Sequence, residues 1–284
     1  MTGPGLTAAT RLVAVIGDPV RHSLSPTIHN AAFRALGLDW AYLALPVVAG
    51  NAAAAVEAVR VLGIEGLNVT MPHKEDVLPA LDRLSTTAGA LRAVNTVHRV
   101  GAELHGDNTD GAGLLDALRF DEGFDPADTR AVVFGAGGAA RAVVLALARA
   151  GAADIAVVNR TAARAEEAVA LAAPGQARCG GEADVEVADV VVNATPAGMT
   201  GTPTEDALLL DPRRLRPGQL VVDLVYHPLR TPLLAAAKER GAVPVTGLGM
   251  LIHQAAHAFR LWTGEDPPLE VMSAAALAAL APPT

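Results

Sequence analysis

The sequence predicts an α/β chain of two parts, the second a doubly wound parallel sheet, and three observations carry that expectation. From Thr129 onward short apolar runs alternate with helical segments, the spacing of a parallel sheet covered on both faces. One of those runs passes through a glycine-rich turn at Gly135–Ala139 directly into a helix. The chain has 284 residues, and at roughly 150 residues per domain that suggests two domains.

The first part opens with Leu12–Ile16, an apolar run stopped by Gly17-Asp18-Pro19, which reads as a buried strand and a turn. Ser25-Pro26 reads as a helix N-cap followed by proline at the first helical position, with Gly37 closing the helix after Leu36. Trp40–Pro46 predicts a strand, Ala52–Leu62 a helix, and Gly66–Thr70 a strand running into Met71-Pro72-His73-Lys74. Val94–Arg99 and Glu103–Gly106 predict a hairpin, and Gly111–Arg119 a helix. In the second part strands are expected at Ala131–Phe134, Ile155–Val158, Val190–Asn193 and Leu220–Leu224. Helices are expected at Ala140–Ala150, Ala162–Ala172 and Leu233–Arg240, then at Met250–Trp262 and Leu269–Leu280. No repeat and no low-complexity linker separates the halves.

Composition narrows the function. Thirty acidic residues against 22 basic ones give a formal net charge of -8, which argues against a nucleic-acid partner. Cys179 is the single cysteine, so no intrachain disulfide forms, and a cytoplasmic home is expected. Mean hydropathy is high at +0.33, yet alanine supplies much of it. No uninterrupted apolar stretch reaches the roughly 18 residues of a membrane span, and no signal peptide is evident. Lys74 and Lys238 are the only lysines, and Ser23, Ser25, Ser85 and Ser273 the only serines.

Four constellations carry candidate chemistry. Gly135-Ala136-Gly137-Gly138-Ala139-Ala140 fits G-x-G-x-x-A between a strand and a helix, a turn that lets backbone approach a pyrophosphate at the helix N-terminus. The same glycines also suit a tight turn with no ligand. At the end of the following strand stand Asn159-Arg160-Thr161, with Arg164 beyond. NAD-binding folds usually place an acid there for the ribose 2′-hydroxyl. Amide, guanidinium and hydroxyl donors suit a 2′-phosphate, hence NADP. The alternative has Thr161 capping a helix and Arg164 paired with Glu166 or Glu167. Third, Asn68-Val69-Thr70-Met71-Pro72-His73-Lys74 is joined by Asn95 and by Gly106-Asp107-Asn108-Thr109-Asp110-Gly111. Lysine, unlike arginine, has a charge that can be tuned for proton transfer, and an aspartate can orient it. A surface lysine beside Glu75 and Asp76, with Asp110 as an ordinary N-cap, fits the spacing equally. Fourth, Ser23 and Ser25 can both face a ligand from an extended loop, although Ser25 as N-cap is the plainer reading. Gln254 lies between His253 and His257, whose i, i+4 spacing lacks the glutamate and third ligand of a zinc site, so no metal is expected.

Together these segments resemble the shikimate dehydrogenases, from Gly17-Asp18-Pro19 to Leu261-Trp262. The resemblance also takes in Ala93–Thr96, Asn193-Ala194-Thr195-Pro196, Asp223-Leu224-Val225-Tyr226 and Gly247-Leu248-Gly249-Met250-Leu251. The resemblance implies a substrate domain of residues 1–109 plus 246–284 and a Rossmann-type NADP domain of residues 110–245, with a cleft between them. It implies that the C-terminal helices return to the first domain. Ser23, Ser25, Thr70, Asn95, Asp110, Tyr226 and Gln254 would then hold the hydroxyls and carboxylate of a cyclohexene acid, with Lys74 and Asp110 as the catalytic pair. The cofactor contacts implied are Gly135, Ala136, Gly137, Gly138, Ala139, Asn159, Arg160, Thr161, Arg164, Thr195 and Leu224, with Gly247 and Met250 beside the nicotinamide. The implied activity is reversible NADPH-dependent reduction of 3-dehydroshikimate to shikimate, by a monomer or homodimer with small-molecule partners alone. Two alternatives stand beside it. One is a quinate/shikimate dehydrogenase with broader substrate or NAD use; the other is a non-catalytic NADP sensor, which needs no lysine–aspartate pair.

Overall fold

The computed structural model describes residues 5–281 and divides the chain into two compact units. One runs to Thr109 and resumes at Ile252; the other is Asp110–Leu251.

Unit 1 is built from β1 (Arg11–Gly17), α1 (Ser25–Ala35), β2 (Trp40–Pro46), α2 (Ala52–Leu62), β3 (Gly66–Val69), β4 (Arg83–Leu84), α3 (Thr86–Leu91), β5 (Thr96–Val100) and β6 (Glu103–Asp107). Its six strands lie in the order β2-β1-β3-β5-β6-β4. β1 pairs in parallel with β2 and β3, and β5 runs antiparallel to both β3 and β6. The β-branched and leucine side chains of this sheet meet Val56 and Val59 of α2 in one core, with Ile16, Leu67, Val97 and Leu104 fully buried. A second cluster is aromatic: Phe33, Tyr42, Phe259 and Trp262 surround His29. Gly66 is required here. A Cβ would strike the Trp262 indole and the Val97 carbonyl, and the indole Nε1–H donates to that carbonyl at 2.9 Å.

Unit 2 begins with α4 (Asp110–Asp116), which ends in a π-helical turn over Ala117–Asp121 where a continuous helix to Arg119 is expected from sequence. Then follow β7 (Arg130–Phe134), α5 (Gly138–Arg149), β8 (Asp154–Val158), α6 (Ala162–Val169), β9 (Ala177–Cys179), β10 (Val190–Asn193), β11 (Leu220–Asp223), α7 (Pro232–Glu239) and β12 (Val243–Thr246). All pairings are parallel, in the order β12-β11-β10-β7-β8-β9. Renumbered within the unit this is 3-2-1-4-5-6 read from the other edge, the doubly wound arrangement whose strand order reverses between β7 and β10. The strands are buried on both faces, which is why they read as unbroken Val and Ala runs. Helix α8 (Gly247–Thr263) starts in unit 2 and continues from Ile252 in unit 1, where α9 (Leu269–Leu280) packs on α1. Among the described residues no helix is long and apolar enough to cross a membrane.

Candidate active site

In unit 1 the topology brings five of the expected residues to one sheet edge. β1 and β3 end there because they are parallel, and β5 starts there because it is antiparallel to β3. Ser23 and Ser25 therefore follow β1, Thr70 and Lys74 follow β3, and Asn95 precedes β5. The N-cap expectation for Ser25 is corrected. Leu24 occupies the N-cap, Ser25 is the first residue of α1, and no side chain caps the helix. Leu24 itself already has helical dihedrals (φ −80°, ψ −11°), so the helix is entered one residue before the expected cap, and Pro26 in the first turn removes an N–H that would have no partner within the helix. The Ser25 hydroxyl instead accepts from Ser23 Oγ at 3.2 Å, while its N–H donates to Ser23 Oγ at 3.2 Å.

Lys74 is half-buried. Its carbonyl accepts the Val94 N–H at 2.8 Å, which fastens the lysine backbone beside Asn95. The preceding His73 is fully buried, with Nε2 2.7 Å from the Val47 carbonyl. A carbonyl only accepts, so Nε2 carries the proton. Asn95 is buried and polarised at both ends. Its Oδ1 accepts from the Thr109 N–H and the Thr96 hydroxyl at 2.9 Å each, and its Nδ2 donates to Thr109 Oγ1 at 3.0 Å. Gln254 is half-buried in the part of α8 that belongs to this unit. Sequence reasoning missed Tyr42 and gave Asn68 no role of its own, yet the two are joined by a 2.7 Å bond from the phenol to Asn68 Oδ1. Asn68 was visible as the one polar residue inside an apolar strand; Tyr42 carried no signal beyond being one of two tyrosines.

In unit 2, Asp110 is buried and is the first residue of α4. Gly135 follows β7 with φ +106°, a conformation side-chain-bearing residues rarely adopt, and a Cβ there would press within 3.0 Å of the Ala194 carbonyl. Gly137 takes the N-cap of α5. No side chain caps that end and no acid sits in its first turn, so the N–H groups and the positive end of the helix suit a phosphate. A Cβ at Gly137 or Gly138 would meet nothing within 4 Å, which leaves the backbone of the turn open to close approach. Ala136 is buried behind it.

At the end of β8, Asn159 Nδ2 donates to the Thr161 carbonyl at 2.9 Å. Thr161 stands at the N-cap of α6 without a side-chain cap bond. Arg160 and Arg164 are exposed, and neither forms an ion pair among the described residues, so the pairing of Arg164 with Glu166 or Glu167 is not made. Two unengaged guanidiniums and no carboxylate at this strand end fit a 2′-phosphate.

Beyond β10 and β11 the loops are held by a buried hub that sequence reasoning did not single out. Asp223 is fully buried, and its carboxylate accepts from Asn193 Nδ2 at 2.9 Å, the Val225 N–H at 3.0 Å and Thr231 Oγ1 at 2.6 Å. Burial pushes its carboxyl up against these three donors, which favour the charged form. Asn193 Oδ1 in turn accepts the N–H and hydroxyl of Thr195 at 2.9 and 2.7 Å. Thr195, Leu224 and Tyr226 are thus carried on one braced pair of loops, and burial raises the Tyr226 phenol above its usual range. Gly247 starts α8 so close to β11 that a Cβ would overlap the Leu224 carbonyl, and Met250 packs on the sheet core. Among the described residues no group of three or more His, Cys, Asp or Glu forms a metal cluster.

Comparison with known proteins covers both units. A model of the shikimate dehydrogenase substrate binding domain matches residues 15–97, one of shikimate / quinate 5-dehydrogenase matches residues 120–225, and one of the shikimate 5'-dehydrogenase C-terminal domain matches residues 247–277. A shikimate dehydrogenase (NADP(+)) of Moorella thermoacetica is 48% identical over 274 residues, 93% of this chain and 92% of the relative. A crystal structure of a shikimate dehydrogenase in complex with NADP+ superposes with a TM-score of 0.92 at 38% identity, covering 99% of each chain. The Thermus thermophilus enzyme, solved with NADP(H) and shikimate, gives a TM-score of 0.88 at 40% identity, covering 95% of this chain and 100% of that one.

Proposed function

The chain belongs to the shikimate dehydrogenase family, and from that premise we infer that it catalyses the reversible NADPH-dependent reduction of 3-dehydroshikimate to shikimate, a step of aromatic amino acid (chorismate) biosynthesis. The observation that carries this reading is the joint match of both units: substrate-domain relatives over the edge bearing Ser23, Ser25, Thr70, Lys74 and Asn95, and an NADP-suited strand end at Asn159–Arg164.

When bound, NADPH supplies a hydride to the C3 carbonyl carbon. The remaining chemistry belongs to side chains. Lys74 donates a hydrogen bond to the carbonyl oxygen, stabilises the charge that develops there and delivers the proton that makes the alcohol. Asp110 orients the lysine and the neighbouring substrate hydroxyl. Ser23, Ser25, Thr70, Asn95, Tyr226 and Gln254 hold the ring substituents. On the cofactor side, Gly135–Ala139 receive the pyrophosphate at the N-terminus of α5, and Asn159, Arg160, Thr161 and Arg164 the 2′-phosphate. Thr195, Leu224, Gly247 and Met250 line the nicotinamide end. Support for these assignments comes from the braced backbone of Lys74 and Asn95 and from the uncapped helix end at Gly137. The exposed single thiol of Cys179 suits a reducing cytoplasm, and a monomer or homodimer is the assembly proposed.

One experiment tests the reading. Nicotinamide absorbance is followed with shikimate and with quinate, each with NADP and with NAD. Shikimate with NADP should give the highest kcat/KM. Quinate should fall below it by roughly tenfold to a hundredfold, because a buried polar group left without its partner costs about 1–3 kcal/mol. Equal kcat/KM for the two acids would replace this reading with the broader quinate/shikimate activity.

A further inference from the structure

Gly17, the buried last residue of β1, is a glycine without a backbone reason to be one. Its φ lies outside the left-handed region, so alanine fits the conformation and only contact excludes a side chain. The contact is with Thr70. A Cβ on Gly17 would stand 2.4 Å from Thr70 Cγ2, closer than two unbonded carbons approach, and 3.0 Å from the Met71 carbonyl oxygen. The threonine methyl thus lies where the side chain of residue 17 would be, and Cβ of the buried Val20 lies 3.4 Å from the same point.

The two backbones cannot draw apart to make room. β1 runs between β2 and β3, and its parallel ladder with β3 pairs Ile16 with Val69. Beyond that pair the Thr70 N–H donates to the Ile16 carbonyl and the Asp18 N–H to the Met71 carbonyl, both at 2.9 Å. On the opposite side the Gly17 carbonyl accepts the Val47 N–H at 3.1 Å. What is left to move is the Thr70 side chain. Thr70 is half-buried, and its hydroxyl makes no hydrogen bond among the described residues, so no polar neighbour directs it. Its direction is set by packing instead. Threonine carries methyl and hydroxyl on one Cβ, in staggered positions about 120° apart. Seating the methyl on Gly17 therefore aims the hydroxyl, and pushing the methyl off its seat swings the hydroxyl away with it.

We propose that Gly17 is a positioning residue for substrate recognition: having no side chain, it seats the Thr70 methyl and holds the Thr70 hydroxyl in its binding direction before substrate arrives. The inference rests on the reading of Thr70 as a substrate contact. Gly17 touches neither substrate nor cofactor on this account; it acts through Thr70 alone. One neutral hydrogen bond is at stake, so a misdirected hydroxyl weakens binding of the acid by about three- to tenfold.

The test compares Gly17→Ala, Thr70→Ser and the double variant, with Thr70→Val as the reference for complete loss of the hydroxyl. KM is measured for shikimate and for NADP, and the melting temperature is recorded. Gly17→Ala should raise the shikimate KM about three- to tenfold, as Thr70→Val does, and leave the NADP KM unchanged. Serine keeps the hydroxyl and lacks the methyl, so Gly17→Ala/Thr70→Ser should return to the shikimate KM of Thr70→Ser alone. Gly17→Ala without effect on the shikimate KM, beside a Thr70→Val that raises it, overturns the proposal and leaves the substrate reading standing. So do equal rises in both KM values, the mark of a structural role. A double variant no better than Gly17→Ala does the same, since it places the damage at the Met71 carbonyl and not at the methyl. Thr70→Val without effect overturns the reading of Thr70 as a substrate contact, and this inference with it.

A second measurement stands if Gly17→Ala does not fold. In the parent protein, three-bond couplings from the Thr70 methyl carbon to its backbone nitrogen and carbonyl carbon report χ1, the methyl resonance being assigned by its absence from the Thr70→Ser protein. The couplings should show one staggered rotamer in the free protein and the same rotamer in saturating shikimate. Averaged couplings without shikimate, or a change of rotamer on binding, refute the positioning.

Discussion

His29 sets a specific pH dependence on the stability of unit 1. It is fully buried, neither ring nitrogen has a hydrogen-bond partner among the described residues, and the ring lies in a box of Tyr42, Phe33, Phe259 and Trp262. Burial therefore lowers its pKa to about 3 from the usual 6.5. The group is a base whose folded pKa lies below its unfolded one. As pH falls through 6.5 the unfolded chain takes up a proton that the folded chain refuses, so stability is lost progressively between pH 6.5 and about 3. One pKa unit corresponds to about 1.36 kcal/mol, so about 2–3 kcal/mol from this residue alone disappears between pH 7 and about pH 4.5. His29→Phe removes the titration and keeps a flat ring on Tyr42. The assay is chemical denaturation followed by tryptophan fluorescence, because Trp40 and Trp262 both belong to unit 1 and report on it alone. Carboxylates contribute their own acid dependence to both proteins, so the quantity read is the difference between them. At pH 7 the variant should unfold close to the parent, since it also relieves two buried nitrogens without partners. At about pH 4.5 the parent should have lost about 2–3 kcal/mol more than the variant. Parallel pH profiles for the two proteins would refute the reasoning and place an unseen donor or acceptor on the imidazole.

Three further outcomes are expected. Lys74→Arg keeps the charge but replaces a compact proton donor by a guanidinium, and should lower kcat about a hundredfold to ten-thousandfold with cofactor KM little changed, while Lys238→Arg behaves like the parent; turnover within a few fold of the parent would reduce Lys74 to a charge. Arg160→Ala removes one exposed guanidinium from the end of β8 and should raise the NADP KM by about tenfold to a hundredfold with NAD use little altered, as steady-state kinetics with each cofactor would reveal. Gly66→Ala forces a methyl into the Trp262 indole and the Val97 carbonyl and should cost unit 1 at least about 2 kcal/mol, with a shifted tryptophan emission maximum as its signature.

What the sequence made legible divides by the range of the interactions involved. β8, β10 and β11 are short β-branched runs between turns, and their periodicity is local, so they were readable to within a residue or two. The glycine turn was readable because the positive φ at Gly135 demands its residue type at one position. The missing acid after β8, the feature on which the NADP reading rests, is also local and so was readable. Elements that exist only through their partners were invisible. β4 has two residues and β9 three, too few for any period, and β12 carries Pro244, which an edge strand tolerates but which reads as a break. α3 is six residues long with a glycine inside it; Ser85, which accepts the Ala88 N–H at 3.1 Å, was its one overlooked start signal.

The buried polar groups follow the same division. Tyr42 meets a partner 26 residues away, Asn68 reaches Thr96 28 residues on, and Asn193 meets Asp223 across 30 residues. In sequence each stands in or beside an apolar strand, where a tyrosine looks like core and an aspartate like a strand end. In the structure each would be costly to bury if its partners were absent, since an unmatched donor or acceptor costs about 1–3 kcal/mol. The partners are brought by the sheets: β3 against β5 sets Asn68 opposite Thr96, and β10 against β11 sets Asn193 opposite Asp223. These are register pairs, so a one-residue slip of either strand would turn one member to the opposite face and leave its partner unmatched. The hydrogen-bonded pairs thus fix strand register at the edges that carry the candidate residues, in unit 1 behind Ser25 and Asn95 and in unit 2 behind Thr195 and Tyr226. The residues given roles from the sequence are held in place by buried neighbours to which the sequence reading gave none.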